Sequence, residues 1–171
     1  MTVQAIRRAA GRFVDRIDVG PAPVDTFAVA KGLGLRVTLE VLKADITGAL
    51  VTTPDGPAAV LNSKQPPNRQ RLLLAHMIGH LQLGHRFPNI VHVERRFEAY
   101  REERRYTSSE RVEFEANVFA GTLLMPSQLV SRAVAVIAHH PLGDDDIQQL
   151  AGQFGVSVQG MTLRLSAENL L

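Results

Sequence analysis

The segment Leu74-Ala75-His76-Met77-Ile78-Gly79-His80-Leu81 constrains this chain more than any other. It lies between Pro66-Pro67-Asn68, a helix start, and Gly84, a helix stop, so His76 and His80 stand one turn apart on one helical face. Neutral imidazoles at i and i+4 are the spacing with which a helix offers zinc two of its three protein ligands. A helix used in this way needs a second element packed against it to bring the third. In the full motif the residue after the first histidine is a glutamate that takes a proton from water; here that residue is Met77. The spacing is weak evidence by itself, because two ordinary polar helix residues would produce it as well.

Cysteine is absent from the 171 residues, so disulfides and thiolate ligands are excluded and any metal must sit on His, Asp or Glu. The length suits one domain, or one domain with a small appendage. Apolar residues make up 45% and charged residues 21%, an ordinary soluble composition. No apolar run approaches the length of a membrane span, and Thr2 to Arg8 lacks the apolar stretch of a secretion signal, which makes the expected location cytoplasmic. A net charge of +2 is too small to argue for nucleic acid. Arginine carries nearly all the positive charge, with lysine only at Lys31, Lys43 and Lys64, a usage that hints at a GC-rich bacterial gene.

Apolar residues recur at threes and fours from Val3 to Ile17, predicting an amphipathic helix. Asp25 or Thr26 caps a second helix that ends at Gly32 or Gly34. Leu35 to Val41 alternates like a half-buried strand, and Gly48–Thr52 and Ala58–Asn62 read as two more, joined by the turn Thr53-Pro54-Asp55-Gly56. Three consecutive strands predict a small antiparallel sheet. Beyond the histidine helix, Glu94 to Arg111 mixes acids and arginines that nearly cancel, favouring a solvated segment over a nucleic-acid patch. Helices follow from about Ser109 to Leu124, from Ser127 to Ala138, and from Asp144; Gly155 and Ser157 separate the last two helices of the chain.

The helix beginning near Ser109 offers the third ligand. Glu113 and Asn117 are four apart and share a face, so a carboxylate ligand would have a supporting amide beside it. Ala116, Ala120 and Gly121 are small enough for a close approach to the histidine helix. Elsewhere Glu113 would simply pair with an arginine on a solvated face.

Four pieces, in order, resemble the ImmA/IrrE family of metallopeptidases. They are Ile46-Thr47-Gly48 with Asn62; Asn68 through His80; Glu113-Phe114-Glu115-Ala116-Asn117-Val118-Phe119-Ala120 with Leu123-Leu124-Met125-Pro126; and Leu150 through Ser157 with Arg164-Leu165. Together they cover roughly residues 25 to 166. The resemblance implies an α+β zincin-like (gluzincin-like) domain, with a small antiparallel sheet on several helices. It divides the chain into a metallopeptidase domain over residues 1–126 and a helix-turn-helix-like extension over 127–171. It also implies Zn(2+) held by His76, His80 and Glu113, with Asn117 in support and Glu115 as the alternative should the register slip by two. Active members cut helix-turn-helix (XRE-type) repressors and so release stress or mobile-element genes.

Met77 departs from the family, which has the general-base glutamate there. Methionine has no ionisable group and is at best a weak acceptor. The favoured expectation is therefore a catalytically impaired homologue that binds a helix-turn-helix repressor or another regulatory protein. In the first alternative the chain remains an endopeptidase, slow or using a base such as Glu115. In the second it is a DNA-binding regulator acting through Ile147 to Leu165. Charge opposes the second, since beyond residue 137 Arg164 is the only arginine or lysine against Asp144, Asp145, Asp146 and Glu168. His85 follows Gly84 and points off the ligand face, suiting it to cap the helix; His92, His139 and His140 read as surface residues.

Overall fold

The computed structural model describes residues 1–85, 89–93, 108–137 and 141–171. The expected segment 94–107, His139 and His140 lie outside the described residues, as does the side chain of His92. The elements run α1 (Val3–Val14), α2 (Thr26–Gly32), β1 (Arg36–Glu40), β2 (Ile46–Thr53), β3 (Gly56–Asn62), α3 (Pro67–Gln82), β4 (Asn89–Val93), α4 (Ser108–Leu124), α5 (Ser127–Ala135), α6 (Asp144–Phe154) and α7 (Val158–Ala167). This is the α+β architecture expected. Among the described residues, no single helix is long and apolar enough to cross a membrane.

Local chemistry explains most helix ends. The Asp25 carboxylate accepts from the Phe27 and Ala28 amides at the start of α2, and the Ser157 hydroxyl accepts from Gly160 at the start of α7. Asp146 accepts from the Gly143 amide at 2.8 Å ahead of α6. Pro67 opens α3, where its missing N–H costs nothing. Gly84 and Gly155 end α3 and α6 at φ of +68° and +59°, a backbone region that glycine enters without strain.

Among the described residues the sheet has four strands in the order β1-β3-β2-β4. β2 and β3 form an antiparallel hairpin closed at Thr53 and Gly56, as the turn predicts. β1 departs from the expected all-antiparallel arrangement. It lies beside β3 and runs parallel to it, Arg36 facing Ala58 and Glu40 facing Asn62. Because β3 separates β1 from β2, the connection must cross the end of β3, and the buried Asn62 holds it there. Its Nδ2 donates to Ile46 O at 2.8 Å and Lys43 O at 3.3 Å, and its Oδ1 accepts from the Lys64 amide at 3.1 Å. β1 is also less covered than its alternation suggests, with Leu39 51% exposed. β4 pairs antiparallel with β2 and was not anticipated; its backbone sets His92 opposite Gly48.

Among the described residues, two buried clusters fill the interior. The larger joins α1, α2, the sheet, α3 and α4 through residues such as Ile6, Phe13, Leu61, Leu74, Ile78 and Phe119. Phe13 of α1 meets Phe119 of α4 with ring centroids 5.5 Å apart, so α1 backs the helix that carries Glu113. The second cluster runs from Met125 to Leu165 and includes Val130, Leu150, Phe154 and Met161.

Candidate metal centre

The site forms where α3 and α4 touch. Gly79 permits the contact, because a Cβ there would stand 2.9 Å from Ala116 O and 3.1 Å from Phe119 Cβ. Ala116 takes the small-residue role expected of it. Gly121 does not, since a Cβ there would meet Met125 Cε at an ordinary 4.0 Å.

This close approach brings Glu113 to both histidines. Its carboxylate lies 3.1 Å from His76 Nε2 and 3.4 Å from His80 Nε2, and the two Nε2 atoms are 2.9 Å apart. The rings meet edge-on, 76° between planes. His76 is 5% and His80 0% exposed, while the Glu113 side chain keeps 32% of its surface. Asn117 stands beside His76, whose Nδ1–H donates to Asn117 Oδ1 at 2.7 Å. That bond leaves the lone pair of neutral His76 on Nε2, facing His80 and Glu113.

The electrostatics favour two of the donors, His80 and Glu113, in the forms a metal requires. Burial holds His80 below its ordinary value; Glu113 opposes the shift and His76 adds to it. Burial alone would raise Glu113, but hydrogen bonds to His76 and His80, together with their charges, hold its carboxyl well below the usual range. An anionic carboxylate therefore converges with His80, which burial favours in its neutral form, beside His76. These lone pairs repel unless a proton or a cation lies among them.

A divalent metal fits that requirement. The three groups offer ligand atoms within 4.8 Å of one another. Tetrahedral ligands about 2.0–2.1 Å from zinc stand about 3.3 Å apart, and the separations of 2.9, 3.1 and 3.4 Å bracket that value. Two nitrogens and one carboxylate, with sulfur excluded, form a donor set that zinc accepts.

Met77 brings no proton-accepting group to this chemistry. It is fully buried in the larger cluster, with its Cε 3.2 Å from where a Gly48 Cβ would be. Such a Cβ would also stand 2.5 Å from Val60 O and 2.9 Å from Leu73 Cδ2, so Gly48 is the residue that admits Leu73 and Met77 against the sheet. Glu115 does not join Glu113 at the two Nε2 atoms. Its Oε2 lies 3.1 Å from His85 Nε2, and its Oε1 pairs with the Met1 amino group. Burial would raise Glu115, but hydrogen bonds from that amine and His85 bring it below its ordinary value. His85 in turn reaches His80, Nδ1 to Nδ1 at 3.0 Å. The sequence reading missed this link between His80, His85 and Glu115; its only traces were a histidine just past Gly84 and a second glutamate two residues beyond Glu113.

The family described as peptidase M78, the IrrE N-terminal-like domain, matches residues 30–166. Among solved structures, a Mycobacterium tuberculosis transcriptional regulator superposes with a TM-score of 0.61 at 17% identity, covering 95% of this chain and 46% of that one. The chain thus spans less than half the length of that regulator, and at this identity the likeness concerns the fold. No curated protein matches the sequence.

Proposed function

Because the chain belongs to the peptidase M78 family of IrrE N-terminal-like domains, we propose that it is a zinc-binding metallopeptidase homologue that has lost its general base. In this reading it acts in the cytoplasm by holding a regulatory protein rather than cutting it. The observation that carries the proposal is the contrast inside one helical turn: His76 and His80 meet Glu113, whereas Met77 between them is sealed against Gly48 and Leu73. In such a site zinc supplies Lewis acidity and makes water more acidic. His76, His80 and Glu113 would hold it, and Asn117 would orient His76. Methionine at position 77 can neither take a proton from water nor return one to a leaving amine. Losing a general base costs on the order of 10²–10⁴ in rate.

The proposed partner is a helix-turn-helix (XRE-type) repressor or another regulatory protein. The similarity of fold to a protein described as a transcriptional regulator supports a regulatory setting. Among the described residues β1 and β4 are the outermost strands, and an extended peptide pairs along such an edge through its backbone. In the endopeptidase alternative the chain is slow or uses a base such as Glu115, and against the latter Glu115 bonds His85, which lies on the Nδ1 side of His80. The DNA-binding alternative loses its cation: Arg164 is 6% exposed, donates from Nε to Met125 O at 2.8 Å, and pairs with Glu168 at 2.9 Å.

The test pairs metal content with restored chemistry. Purified chain is expected to carry zinc at neutral pH, bind a repressor encoded beside it, and leave that repressor intact. Met77→Glu should raise cleavage by about 10²–10⁴-fold. Robust cleavage by the wild type, unimproved by the glutamate, sinks the proposal. So does a protein that takes up no zinc with His76 and His80 intact.

A further inference from the structure

We propose that His85 and Glu115 form a relay that sets the ring state of His80 and so prepares its Nε2 to receive the metal. Both are positioning residues and neither is a ligand. The proposal rests on the reading of His76, His80 and Glu113 as a zinc site.

The relay is built by the end of α3. Gly84 takes a φ of +68°, and the His85 amide donates back to His80 O at 3.0 Å, which returns His85 to the last helical turn. The His80 and His85 rings then lie 5.0 Å apart at 70°, Nδ1 to Nδ1 at 3.0 Å. On its other side His85 Nε2 meets Glu115 Oε2 at 3.1 Å, and both side chains are only 7% exposed. α4 thus serves the histidine helix twice, with Glu113 at the metal-facing nitrogens and Glu115 behind them.

Proton bookkeeping along this line has one self-consistent solution for neutral rings. A carboxylate only accepts, so His85 Nε2 must carry the hydrogen. A neutral imidazole has one N–H, which leaves a lone pair on His85 Nδ1. His80 Nδ1 must then donate to it, and the His80 lone pair falls on Nε2, 2.9 Å from His76 Nε2 and 3.4 Å from Glu113 Oε1. Without the relay the local preference is the reverse. An Nε2–H on His80 would donate directly toward Glu113 or His76 and close the site to a cation. At His76 the Asn117 oxygen achieves the same outcome in one step. Outer partners of this kind orient metal-binding histidines, and their loss costs about 10–100-fold in metal affinity.

The experiment uses the full chain with His85→Ala and the near-isosteric Glu115→Gln. One readout is the zinc dissociation constant by competition with a chromophoric chelator. The other is the ¹⁵N shift pattern of the His80 ring in metal-free protein. His85→Ala should weaken zinc about 10–100-fold and shift His80 toward the Nε2–H form. Glu115→Gln should act in the same direction more weakly, and it decides the matter if His85→Ala fails to fold. A folded variant with unchanged zinc affinity and His80 still protonated on Nδ1 overturns the relay, as does an Nε2–H tautomer in metal-free wild type. A wild type that binds no zinc but shows His80 with Nδ1–H defeats the zinc reading while leaving the relay standing.

Discussion

Gly79 sets the distance between the two helices that make the site, which places the first prediction at a single atom. A methyl group in Gly79→Ala would meet a backbone oxygen at 2.9 Å and Phe119 Cβ at 3.1 Å, neither of which can swing aside like the tip of a long side chain. Helix propensity favours alanine here by up to about 1 kcal/mol, but overpacking costs about 1–3 kcal/mol, and the clash is expected to prevail. Denaturant unfolding should show a net loss of stability, and zinc should bind more weakly because Glu113 moves off with α4. A variant as stable as wild type with unchanged zinc affinity would show that α4 is held elsewhere. The same residue marks the limit of what the sequence discloses. His76, His80 and Glu113 were legible because i and i+4 spacing translates directly into a shared helical face, and because the family pattern singled out one glutamate. Gly79 and the relay through His85 were not. Their meaning depends on which helix lies across from them and how the chain turns at Gly84, and spacing along one element encodes neither.

Elements show a similar division. Helix ends could be read from Asp25, Pro67, Gly84, Gly155 and Ser157 because each acts on its own backbone within one turn. Strand partnership could not, since alternation predicts a strand but not its neighbour, and β1 aligned with β3 instead of completing a meander. β4 was missed for a related reason: five residues with a short apolar run give little period to detect, and pairing with β2 defines them as a strand. Asn62 is what the crossover costs in specificity, a buried amide that fastens residues 42–46 across the end of β3. Asn62→Ala would strand the Ile46 and Lys43 carbonyls and the Lys64 amide. A loss of about 1–3 kcal/mol is expected, with hydrogen exchange accelerated first at the β1–β2 connection. Equal stability with unchanged exchange there would mean that water or other backbone groups already satisfy that connection.

Across the whole molecule, the two buried clusters meet at Leu129 and Val156, which pack against both, and α3 ties them further through Arg71. Its face carries Leu74 and Ile78 into the larger one, while Arg71 donates to Phe154 O at 2.6 Å and to Gly155 O, the end of α6 in the smaller. Gly155 must be glycine for that approach, since a Cβ would stand 2.6 Å from the Arg71 guanidinium. Arg164 adds a second tie by holding Met125 O at the junction after α4. Metal bound between α3 and α4 would therefore stiffen the helix whose Arg71 ties the smaller cluster to the larger. A ligand at 100 times its dissociation constant stabilises the folded state by about 2.7 kcal/mol. For a chain of this length each kcal/mol moves Tm by about 2–4 °C. Saturating zinc is thus expected to raise Tm by about 5–11 °C in one transition, reversed by a chelator and absent in His80→Ala. If the clusters were coupled only by the chain, the scan would split, with zinc moving the upper or lower transition alone. Arg71→Met, which keeps the apolar stem but removes both donors, should bring wild type toward that split. A single zinc-shifted transition in this variant would show that apolar packing alone couples the clusters.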